Sequence, residues 1–277
     1  DYLVGKMLGV AAVFGALHVV VLVPVAVIHR FFASDTVFAW QPYVLLTLFS
    51  SLPTLIFTIG LSCLLVTLLR SQALVFAVMV AISMLFLIVL GPRYFYYFDT
   101  FGFWVPQVYS DFVGLGNLEQ LLLVRGTHAL FGVGCIALTA LLSSRLRQSL
   151  PANLAASVIA FACMAGATWT SLTYLQGKLA DREFRQQLSD ASRPASAEPA
   201  PSVVDYDLSV EHSGHQLAIV AQLSVTNPND APLGSLLLTL NPGLRVSEII
   251  ADGLPLSFSQ ELHLVRVAPP AALAPGD

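Results

Sequence analysis

The chain has 277 residues, 56% hydrophobic and 11% charged, with a mean hydropathy of +0.75. A water-soluble domain carries charge on about 25% of its residues, so lipid is the expected solvent for much of this one. Its formal net charge of −4 and pI near 5.8 supply no basic stripe of the kind phosphate neutralisation needs, which argues against a nucleic-acid partner.

Long apolar runs predict five spans. The first covers about Leu3 to Phe32, interrupted only by His18 and Pro24, and exceeds the ~20 residues a hydrocarbon core requires. The second covers about Tyr43 to Leu69 and carries Pro53, where a kink is expected because the ring removes one backbone donor. Only Arg70, Ser71 and Gln72 separate it from the third, about Ala73 to Leu90, so these two form a tight antiparallel hairpin ended by Gly91 and Pro92.

The aromatic stretch Tyr94 to Trp104 matches the headgroup boundary and is expected to lie along the membrane surface. The fourth span is about Leu121 to Leu142 and the fifth about Leu154 to Leu175. Both are rich in glycine and alanine, which lets backbones approach closely and places them centrally in the bundle. Cys63, Cys135 and Cys163 all fall in apolar runs, an odd set with neither disulfide nor zinc spacing, and read as small packing residues.

Lys6, Arg70, Arg145 and Arg147 fall on one side of this topology and mark it as cytoplasmic, which puts the tail after the fifth span outside. Lys178, Arg182 and Arg185 in that tail argue weakly the other way. From Gly177 to about Leu188 the helix is expected to continue into water. Ser189 to Ser202 then reads as a Pro, Ala and Ser spacer too polar to pack.

Beyond it, Tyr206–Val210, Gln216–Val225, Leu236–Leu240, Val246–Ala251 and Leu262–Val267 alternate or cluster apolar residues between turn signals such as Ser213-Gly214 and Asp252-Gly253. The predicted fold is therefore an all-α polytopic transmembrane helix bundle followed by an antiparallel β-sandwich-like domain. Residues 1–178 form the bundle, 179–202 the helical extension and linker, and 203–277 the start of the sandwich. The chain opens on Asp1 and stops where another strand should follow, so an excerpt of a longer polypeptide is expected.

No Walker A, H-E-x-x-H or G-x-S-x-G pattern is present, so no catalytic, cofactor-binding or metal residue is assigned. His212 and His215 have chelating spacing but flank a hairpin turn without a third ligand, and read as an exposed turn. His18 is either a proton relay or substrate contact, or one half of an interhelical hydrogen bond, the reading we take. Arg125 and His128 lie one turn apart, placed to face a cavity together. The alternative we adopt is that Arg125 snorkels to the interface, where Glu119 and Asp111 pair with it.

Several stretches together resemble bacterial fusion proteins that join an ABC-2 type permease to an M1-family aminopeptidase-like domain. Asp1-Tyr2-Leu3-Val4-Gly5-Lys6 is similar to the start of a permease helix. Pro106, Tyr109, Ser110 and Asp111, with Gly114 and Gly116 after them, resemble the family's P-x-x-Y-S-D plus glycine loop. Tyr174-Leu175, the charged helix Lys178 to Gln187 and the Pro-bearing linker are weaker matches. In the tail, Tyr206–Val210, Val225-Thr226-Asn227, Leu238–Asn241, Asp252-Gly253 and Leu273–Gly276 look like the first sandwich of M1 peptidases.

The resemblance implies a multi-pass protein of the bacterial inner membrane. Its partners would be the lipid bilayer, an ATP-binding ABC subunit, and a second permease half or a second copy. The zinc site of an M1 peptidase would lie beyond these residues, so only permease architecture carries over. Two competing readings are a membrane-anchored M1-type zinc aminopeptidase that transports nothing, and a membrane scaffold whose sandwich binds proteins.

Overall fold

The computed structural model describes residues 2–32, 38–105, 109–110, 114–143, 149–213 and 216–276. Among these it is mostly helical, with five long apolar helices and a small region of antiparallel sheet. The helices are α1 (Tyr2–Phe32), α2 (Gln41–Leu69), α3 (Gln72–Arg93), α4 (Leu118–Leu142) and α5 (Leu150–Ala195). Each is long and apolar enough to cross a membrane, as a multi-pass membrane protein requires. The chain divides into two compact units, Asp1–Leu179 and Ala180–Asp277.

In the first unit α2 and α3 form the expected hairpin. Arg70 closes α2 in the left-handed region at φ 55°, its N–H bonded to the Val66 carbonyl, and Ser71 opens α3 by accepting from the Leu74 N–H at 3.4 Å. Gly91 and Pro92 do not end α3, which runs one residue further to Arg93: the Gly91 N–H bonds back to the Phe86 carbonyl in the π-helical turn and the Tyr94 N–H to the Leu90 carbonyl. Neither α2 nor α3 is regular. Thr47–Ser51 in α2 and Leu85–Leu90 in α3 are π-helical, so the disturbance expected at Pro53 is a widened turn just ahead of it.

The fourth helix is central and the fifth is not, which corrects the placement drawn from their small residues. Half of the apolar stretch of α4 is buried, against 11% for α5. The reason lies in which glycines are used. A Cβ on Gly132 would stand 2.5 Å from the Ile56 carbonyl oxygen, and one on Gly60 would strike the Gly132 backbone, so α2 and α4 cross backbone to backbone. Helix α5 contributes a narrow stripe, Ala160, Ala167 and Tyr174, while half of its alanines are exposed.

The aromatic segment after α3 is also more enclosed than a surface belt. Phe95 and Tyr96 take positive φ, and the turn they make buries Tyr97, Asp99, Thr100 and Val105. Tyr97 and Val105 pack with Leu121, Val124 and Tyr174 into the main apolar core. Phe103 and Trp104 stay exposed, as an interfacial belt would have them.

The second unit holds the end of α5 and, among the described residues, seven strands. Strands β3 (Ser202–Ser213) and β4 (Gln216–Thr226) form a long antiparallel ribbon, following β1 (Tyr109–Ser110) and β2 (Gly114–Leu115) of the first unit. β5 (Leu236–Thr239), β8 (Phe258–Glu261) and β9 (Leu264–Val267) make a three-stranded sheet in the order β5-β9-β8, and β6 (Ile250–Ala251) pairs with β7 (Leu254–Pro255). Only the last two residues of the expected strand Val246–Ala251 are strand. The Gln260 side chain takes the Val246 N–H and donates to the Leu244 carbonyl, holding that approach as a loop.

Ser189 to Ser202 is not a free spacer. Helix α5 runs through it to Ala195, and Ala191 and Ala195, one turn apart, pack against Leu237 and Leu264. Ser192 Oγ meets His263 Nε2 at 2.8 Å, and Glu198 receives both guanidinium nitrogens of Arg266. The composition is polar, but alanine at i and i+4 makes a flat strip that a sheet can touch.

Candidate functional site

The polar groups of the first unit gather around the π-helical turn of α2. The Leu52 N–H bonds to Thr47, five residues back, which withdraws it from the Leu48 carbonyl. Pro53 has no N–H to offer Phe49. Consecutive carbonyls are thus left short of helical donors in apolar surroundings, where an unmet polar group costs several kcal/mol in lipid.

Arg125 meets that shortage at Phe49 and adds a donor at Ser50. Its side chain is 1% exposed; Nε donates to the Phe49 carbonyl at 2.8 Å, and Nη2 to the Ser50 carbonyl at 2.6 Å and to Thr54 Oγ1 at 2.5 Å. Nη1 donates to the Asp99 carbonyl at 2.7 Å. A planar fork of five donors suits such a ring of acceptors, as an ammonium would not.

Asp99, 4% exposed, supplies the compensating charge. Its carboxylate is occupied by its own loop, accepting from the Phe103, Trp104 and Val105 amides at 2.9, 2.7 and 3.1 Å. Gly102 sits inside this turn at φ 78°, where a Cβ would lie 3.0 Å from Ser50 Oγ. The loop, α2 and α4 therefore close on one guanidinium.

The snorkelling reading of Arg125 is overturned: the cation turns inward, where the Phe49 carbonyl needs a donor and the Ser50 and Asp99 carbonyls take a second one. Glu119 lies in the first turn of α4 and Asp111 lies outside the described residues. His128 shares the buried face of Arg125. It donates from Nδ1 to the Val124 carbonyl at 2.7 Å, with its ring edge-on to Phe57 and stacked on Tyr97 at centroid distances of 5.5 and 6.1 Å.

On the α1 side, Thr47 Oγ1 donates to the Tyr43 carbonyl and so accepts from His18 Nε2 at 2.9 Å. Ser51 Oγ stands 3.3 Å from His18 Nδ1, and His29 Nδ1 meets the Tyr43 hydroxyl at 2.7 Å. Both ring nitrogens of His18 are thereby engaged by the same turn whose carbonyls hold Arg125.

Of the loop-motif residues, Tyr109 lies in β1 beside a shallow depression formed with Pro42, Tyr43 and Leu115; Ser110 pairs with Gly114. Pro106 lies outside the described residues. His212 sits in β3 opposite Leu217, and His215 is outside the described residues. Among the described residues no three His, Cys, Asp or Glu side chains converge as metal ligands.

Asp99, Ser50 and Thr54 were not singled out in the sequence. The signal that finds them is Pro53 inside an apolar run flanked by Thr47, Ser50, Ser51 and Thr54, hydroxyls that lie where backbone bonding is disturbed. The arrangement as a whole is a clamp: it fixes the mutual position of two helices and a loop through one buried charge. No family model, no curated protein and no solved structure matches the chain.

Proposed function

We propose that the chain is the membrane-embedded portion of an ABC-2 type exporter, a transmembrane helix bundle driven by a separate ATP-binding subunit, with an M1-peptidase-like domain tethered behind it outside the bacterial inner membrane. The observation that carries the reading is the clamp on Arg125. A charge held within apolar helices is expensive, and helices interrupted at such a charge are a recurrent device of transport proteins. A simple membrane anchor has no need of one.

The second unit supports the tethered domain. In the ribbon β3–β4, Tyr206, Leu208 and Val210 stand opposite Leu223, Ala221 and Ile219, so one face is apolar, while Asp205, Asp207 and Glu211 occupy the other. Tyr206, Leu208, Val210 and Leu223 on that apolar face are all exposed. A two-stranded ribbon is marginal without a covering layer, and a β-sandwich supplies one.

The test is purification of the full polypeptide from its native membranes, under extraction that preserves the fold. Recovery of a stoichiometric ATP-binding subunit is the expected result. A folded protein that never carries one overturns the transporter reading. An H-E-x-x-H helix with zinc-dependent peptidase activity would then favour the anchored enzyme, and a folded β domain without it the scaffold.

A further inference from the structure

We infer that the π-helical turn Thr47–Ser51 is a switch that couples the seating of α1 to the clamp on Arg125; this rests on the transporter reading, in which helices must rearrange. The turn is tied on both sides. Its hydroxyls, Thr47 and Ser51, hold His18 of α1, and its carbonyls, Phe49 and Ser50, hold Arg125 of α4.

Helix α1 makes its hydrogen bonds to α2 at those ties, and beyond the turn it also approaches the Leu52–Leu69 part of α2. None of its apolar stretch is buried among the described residues, and the hydrogen bonds of His18 to Thr47 and Ser51, and of His29 to Tyr43, reach α2 at or just before the turn. A π turn holds one residue more than an α turn. Its conversion to α geometry therefore rotates the preceding segment, with Tyr43 and Thr47, by about 100° relative to Pro53 and the rest of α2. That rotation carries both α1 contacts away from their partners.

Arg125 sets which geometry holds. The α form returns the Leu52 N–H to Leu48 but leaves Phe49 without a donor, since Pro53 has none, so the guanidinium must serve that carbonyl wherever the turn places it. The observed π form aims the Phe49 and Ser50 carbonyls and Thr54 Oγ1 together at one guanidinium. Moving Asp99 and its loop, which hold Nη1, would loosen that aim and release α1. The turn is the element through which the aromatic loop and α1 are connected.

The experiment is cross-linking in the full chain in lipid vesicles, with Cys63, Cys135 and Cys163 replaced by alanine and cysteines placed by His29→Cys and Tyr43→Cys. The ring centroids are 6.0 Å apart, so the cysteines stand within reach of a short bis-maleimide; replacing the rings removes that one tie and leaves the bonds of His18 to Thr47 and Ser51 to seat α1. Arg125→Gln, which touches neither site, is expected to lower the cross-linking rate about fivefold, the ratio that one hydrogen bond's worth of free energy sets. Pro53→Ala, which supplies the missing amide and cannot unfold the helix, is expected to lower it in the same direction by favouring the α turn. Unchanged rates in Pro53→Ala overturn the switch, whatever Arg125→Gln does. The readout needs no ATPase, so its failure leaves the transporter reading to its own test.

Discussion

The Nε of Arg125 donates at 2.8 Å to the carbonyl of Phe49, the acceptor that an amide at residue 53 serves in a regular α-helix and that Pro53 cannot. One helix thus repairs the backbone of another with a side chain. The guanidinium brings a charge with it, so its removal costs twice: the Phe49 carbonyl loses its side-chain donor while the Ser50 and Asp99 carbonyls each lose one of two, and Asp99 is left as a buried anion without its cation.

Substitution at Arg125 is therefore expected to destabilise the first unit strongly. Breaking a buried charged contact costs about 3–5 kcal/mol. Arg125→Lys is expected to recover only part of this, because one ammonium cannot reach the Phe49, Ser50 and Asp99 carbonyls at once. Thermal unfolding of detergent-solubilised variants gives the order wild type, Lys, Gln. A lysine variant as stable as the parent would show that charge alone matters and the fork does not.

The glycines divide into those that are contact points and those that are not. Gly132→Ala places a methyl carbon against the Ile56 backbone at 2.5 Å, and backbone cannot swing aside. Overpacking of this kind costs about 1–3 kcal/mol. Gly126→Ala, with nothing within 4 Å, is expected to stabilise α4 by the ~1 kcal/mol that separates glycine from alanine in a helix. Opposite signs in unfolding curves of the two variants are the check; the same sign in both would remove the α2–α4 crossing at this point.

The docked end of α5 makes a separate claim. Ala195 is 6% exposed against Leu237 and Leu264, whereas Ala197, two residues on, is exposed. A cysteine at Ala195 is expected to react with a soluble maleimide at least about tenfold more slowly than one at Ala197, as the opening free energy of a packed element dictates. Equal rates would restore Ser189 to Ser202 as a free spacer.

Hydrophobic length made the five helices legible. About 20 apolar residues in a row have one solution in lipid, and α1 to α5 fall where the runs fall. What was not legible depended on partners distant in sequence. Nothing in Arg125 itself says whether it turns outward to water or inward; that is settled by Pro53 and Asp99, 72 and 26 residues away. The Ser189–Ser202 segment failed for a related reason. Polar composition describes how a segment meets water, but Ala191, Ser192 and Ala195 share one helical face that composition does not register.

The ion pair of Glu198 and Arg266 gives the second unit an acid-side dependence. The side-chain hydrogen bond from Arg266, with its charge, holds the Glu198 carboxyl below the ordinary glutamate range. A depressed folded pKa means that the contact's stabilisation is fully present above the unfolded glutamate pKa and is lost as pH falls through the lowered value. Both side chains are about two-fifths exposed, so solvent and salt screen the pair and its share of global stability is small. The effect to measure is local. Carboxyl-carbon NMR of Glu198 in the solubilised chain is expected to titrate on the acid side of its ordinary position and to return there in Arg266→Gln. An unshifted Glu198 in the parent protein would mean that the pair does not hold the turn after Ala195 in solution.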